Sequence, residues 1–71
     1  MKLNKQEQTV VVGHLINNVI GLELVKQHIE PQKLEKAVAL HNEINDDMTP
    51  KQTRESLIST LDKAIDEFLK Q

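Results

Sequence analysis

The sequence predicts an all-α fold of three helices, at about 4–29, 31–45 and 50–70, forming an antiparallel bundle completed by dimerisation. Three observations lead there. Apolar residues recur at spacings of three and four along most of the chain. Pro31 and Pro50 sit where a helix would begin, a position at which the missing amide hydrogen costs nothing. Finally, 71 residues without cysteine make a single helical domain, 1–71, with neither a disulfide nor a thiolate metal cage to staple so small a core. Self-association is the remaining common source of stability.

The first helix opens at Asn4, whose side chain can accept from first-turn amides while Glu7 completes a capping box. Pro31 ends it by pushing Glu30 out of the helical region. The β-branched run Thr9 to Val12 raises a strand alternative, but at period two neither face is consistently apolar. At helical period, apolar pairs recur every four residues: Val11/Val12, Leu15/Ile16 and Val19/Ile20, followed by Leu22 and Leu24. A repeat of four drifts by roughly 40° per turn around a 3.6-residue helix, which widens the face to be covered. Gly21 is the expected kink point.

The second helix starts at Pro31, places Leu34, Ala37, Val38, His41 and Ile44 on one side, and stops in Asn45-Asp46-Asp47. The third has Thr49 as N-cap, Pro50 at its first position and Gln52 as capping-box partner. Leu57, Ile58, Leu61, Ala64, Ile65, Phe68 and Leu69 trace a broad stripe that the pattern assigns to the core. Lys51/Glu55, Lys63/Glu67 and Asp66/Lys70 are expected as ion pairs on the solvent side. Short connections make the helices sequential antiparallel neighbours.

Composition bounds the function. Phe68 is the only aromatic residue, and the formal charge is −2. Stacking surfaces and a basic footprint are both missing, which counts against nucleic acid as a partner. Neither a signal-type segment nor a membrane-length apolar run is present, so the expected setting is cytoplasmic. No nucleophile–base set, phosphate loop or carboxylate pair points to an enzyme, a cofactor or a small-molecule substrate. His14, His28 and His41 lack ligands three or four residues away, so no metal site is expected.

What remains is a surface. Thr9, Gly13, Asn17 and Gly21 lie four apart on one face, with no charge between Glu7 and Glu23. Small residues at this spacing allow close helix approach, and a central Asn can set register. The expected interface is Val12, Gly13, Leu15, Ile16, Asn17, Val19, Ile20 and Gly21, closing a homodimer or docking another helical protein. The alternatives are a helical transcriptional regulator and a phosphotransfer bundle. The latter rests on His14-Leu15-Ile16-Asn17-Asn18-Val19-Ile20-Gly21-Leu22, which resembles the phosphoacceptor helix of histidine-kinase dimerisation domains, where an Asn follows the His by one turn. The resemblance covers about nine residues, and Leu15 stands where that helix usually carries a charged residue. If it held, His14 would carry the phosphoryl group.

Overall fold

A computed structural model describes residues 1–71, and every regular element in it is helical. Helix α1 spans Lys5–His14 and runs straight into a π-helical segment, Leu15–Ile20. Helices α2 (Leu22–His28), α3 (Pro31–Asp46) and α4 (Pro50–Phe68) follow. The expected single helix at 4–29 is therefore corrected to two helices, and the total to four. The chain turns by 105° between Lys5–Ile20 and Leu22–His28.

The break lies where the sequence is weakest. Gly21 adopts φ 94° and ψ 139°, a conformation that only glycine reaches without strain. The π-helical turn before it bonds five residues apart rather than four and so holds more residues per turn. Its length suits the four-residue repeat of Leu15/Ile16 and Val19/Ile20 better than an α-turn does.

Both expected capping boxes form. Asn4 accepts from the Glu7 amide at 2.8 Å and Glu7 accepts from the Asn4 amide at 2.8 Å. Thr49 and Gln52 repeat the pattern at 3.1 and 2.9 Å. Each cap satisfies amides that the helix itself leaves orphaned.

Helix α1 is the hub, packing against both α3 and α4. On the α3 side, Gly13 lies directly under the imidazole of His41; a Cβ at that position would collide with the ring. On the α4 side the order of contacts is antiparallel, from Met1 with Glu67 to Glu7 with Ser59. The apolar interior is small: Val10, Val25 and Leu34 are its buried aliphatic side chains.

The largest departure from expectation is the orientation of α4. It meets α1 with its small and polar side, on which Ser56 is buried and Thr53, Thr60 and Lys63 are half-buried. The stripe assigned to the core points outward, leaving Ile58, Leu61, Ile65, Phe68 and Leu69 exposed. The reason is electrostatic. Glu7 on α1 is only 1% exposed, so whatever face of α4 covers it must supply hydrogen-bond donors, which the aliphatic stripe cannot.

Candidate interaction surface

The surface is best built outward from the contact that fixes α4. Lys63 Nζ donates to Glu7 Oε1 at 2.6 Å and Ser59 Oγ donates to Oε2 at 2.5 Å. Lys63 also donates to the Lys2 carbonyl at 3.1 Å. The Asn4 backbone amide above all, then Lys63 and Ser59, lowers the Glu7 carboxyl from 4.5 to about 2, against the opposing effect of burial. Glu7 thus stays ionised and holds both donors.

The expected pairs of α4 rearrange accordingly. Lys51–Glu55 forms, at 3.9 Å. Lys63 turns to Glu7 instead of Glu67, which meets the N-terminal amine of Met1 at 3.1 Å and Lys70 at 3.8 Å. Sequence reasoning read Glu7 only as a cap. The one available signal was the line Ser56-Ser59-Lys63, small and polar on the face opposite the stripe.

The eight interface residues expected on the first helix divide in two. Gly13 is buried beneath His41, and Val12 and Ile16 are half-buried on the side turned to α3. Leu15, Asn17, Val19 and Ile20 are exposed, Val19 at 71%. Gly21 makes the bend. The small-residue line is thus spent within the chain as far as Gly13, and only its distal part is free.

The bend extends the free part into a groove. Leu22 and Ile29 of the α2 region face Leu34, Val38 and Ala39 of α3 across an open cleft of about 660 Å³, with Lys26 and Glu35 at its rim. Leu24 is exposed on the opposite side of α2. A second apolar surface, the outward stripe of α4, has no neighbour in the chain.

Chemistry is sparse elsewhere. No group of three His, Cys, Asp or Glu side chains is placed to hold a metal ion. The Asn18 amide donates to His14 Nδ1 at 2.7 Å, so the Asn one turn after the His engages its ring. His41 Nδ1 lies 3.2 Å from Asn42 Oδ1. No single helix is long and apolar enough to cross a membrane. No protein-family model, curated protein or solved structure matches this chain.

Proposed function

We propose that this protein is a non-enzymatic interaction module that docks another helical protein on the free edge of its bent first helix. The observation that carries this reading is the amount of uncovered surface. The chain exposes 5683 Å², whereas a compact monomer of 8.1 kDa is expected to expose ~4,500 Å². Its radius of gyration is 13.1 Å against ~11 Å for a compact domain of this length. Soluble monomers rarely leave such apolar patches without a use for them.

The bend supplies a shape as well as a surface. Leu15, Val19 and Ile20 are exposed before the bend, and past it the cleft between α2 and α3 has an apolar floor and charged rim that suit an amphipathic helix laid along it. The test is affinity capture from the native cell with cross-linking mass spectrometry. Cross-links from the partner should cluster between residues 15 and 39. They should vanish with Val19→Asp combined with Leu22→Asp and survive Lys33→Glu. An identical set of captured proteins for wild type and the double variant would end this reading.

A further inference from the structure

We infer that the outward stripe of α4 is a self-association seam, on which α4 of a second copy packs in parallel across a two-fold axis. The seam lies on a different element from the docking edge proposed above and stands or falls separately.

Spacing comes first. Ile58, Leu61, Ile65 and Phe68 are separated by three, four and three residues and fall within about 80° of arc. That is the a/d line of a heptad, with Ile58 and Ile65 at a and Leu61 and Phe68 at d. All four side chains are exposed, and Phe68, the sole aromatic residue, is 71% accessible. Aromatic anchors of this kind carry a large share of binding energy where a partner covers them.

The residues at those positions choose the arrangement. Among parallel assemblies, a β-branched side chain at a with Leu at d favours two strands over three or four. The flanking positions choose the orientation. In a parallel pair, Asp62 at e faces Leu57 at g of the other helix, and no like charges meet. An antiparallel pair centred between Leu61 and Ile65 would bring Asp62 against its own copy. Upstream, Arg54 and Lys51 occupy the same line, so the helices separate there and the seam is confined to Ile58 through Phe68.

The rest of the molecule leaves the seam open. Ser56, Ser59 and Lys63, the side of α4 held by α1, lie nearly opposite the stripe around the helix. A second α4 therefore approaches without displacing α1. Pairing covers the exposed Ile58, Leu61, Ile65 and Phe68, part of the surface by which the chain exceeds a compact monomer. A net charge of −2 per chain adds little repulsion between copies.

The test is sedimentation of the full chain with interference optics, joined to single-cysteine cross-linking, which the absence of native cysteine permits. Wild type should sediment at twice 8.1 kDa. Leu61→Glu and Ile65→Glu should each give a helical monomer, since both side chains are already solvent-facing in the single chain. Leu61→Cys and Ile65→Cys should each oxidise to a covalent dimer, whereas Asp66→Cys, off the seam, should not. A monomeric wild type, or a dimer that survives Leu61→Glu, would overturn the inference. A dimer lost on Leu61→Glu, but in which Leu61→Cys links only to Ile65→Cys, would overturn the parallel arrangement.

Discussion

Glu7 joins the N-terminus of α1 to the middle of α4, so the packing of the two helices depends on its charge. Its carboxyl is lowered to about 2 from 4.5, which sets the sign of the pH effect. The folded state holds the proton less tightly than the unfolded chain, so the contribution is fully present above about pH 5 and is lost as pH falls toward 2. The urea midpoint of wild type should therefore drop over that window more than that of Glu7→Gln, which has no proton to take up at this site. Parallel curves for the two proteins would show that the clamp contributes nothing to stability. Gly13 makes a second prediction at this scale. Alanine there gains roughly 1 kcal/mol of helix propensity, yet its Cβ would strike the His41 ring. Gly13→Ala should lower the thermal midpoint in wild type and raise it in a His41→Ala background, and the double-mutant cycle reads the coupling directly.

At the scale of the element, the bend at Gly21 and the orientation of α4 have different causes. Gly21 has open space around it, so a side chain meets no neighbour, and only its backbone conformation resists substitution. Gly21→Ala should then cost about 1–3 kcal/mol in urea unfolding, with no relief from trimming nearby side chains. A neutral result would mean that the bend is not fixed in solution. The two capping boxes, the helix starts at Pro31 and Pro50, and the stop within Asn45-Asp46-Asp47 were all legible in the sequence, because each depends on residues within one turn of one another. The face that α4 buries was not legible. Amphipathic pattern reports which side of a helix is apolar, and burial of that side is only the usual consequence. Here Glu7, distant by 52 residues from Ser59 and 56 from Lys63, outweighs the pattern by demanding donors. For the same reason the free edge of the first helix was half legible: periodicity found Leu15, Val19 and Ile20, but the capture of Gly13 by His41 is a long-range contact that no local spacing announces.

At the scale of the whole molecule, extents of 34 × 31 × 18 Å describe a slab thin in one direction. Its buried aliphatic centre is limited to Val10, Val25 and Leu34. Pairing two slabs along α4 would add a second centre from Ile58, Leu61, Ile65 and Phe68. Stability then becomes a property of concentration. When the folded species is a dimer and the unfolded one a monomer, unfolding is linked to dissociation by mass action. Each tenfold rise in protein concentration should stabilise the dimer by about 1.4 kcal/mol, visible as a climbing urea midpoint in helical circular dichroism. Leu61→Glu should remove that dependence and leave a lower, constant midpoint, because the variant loses the seam but keeps Glu7, Ser59 and Lys63. A wild-type midpoint that stays flat with concentration would place the cohesive energy within the single chain, and the contacts of α1 with α3 and α4 would then suffice on their own.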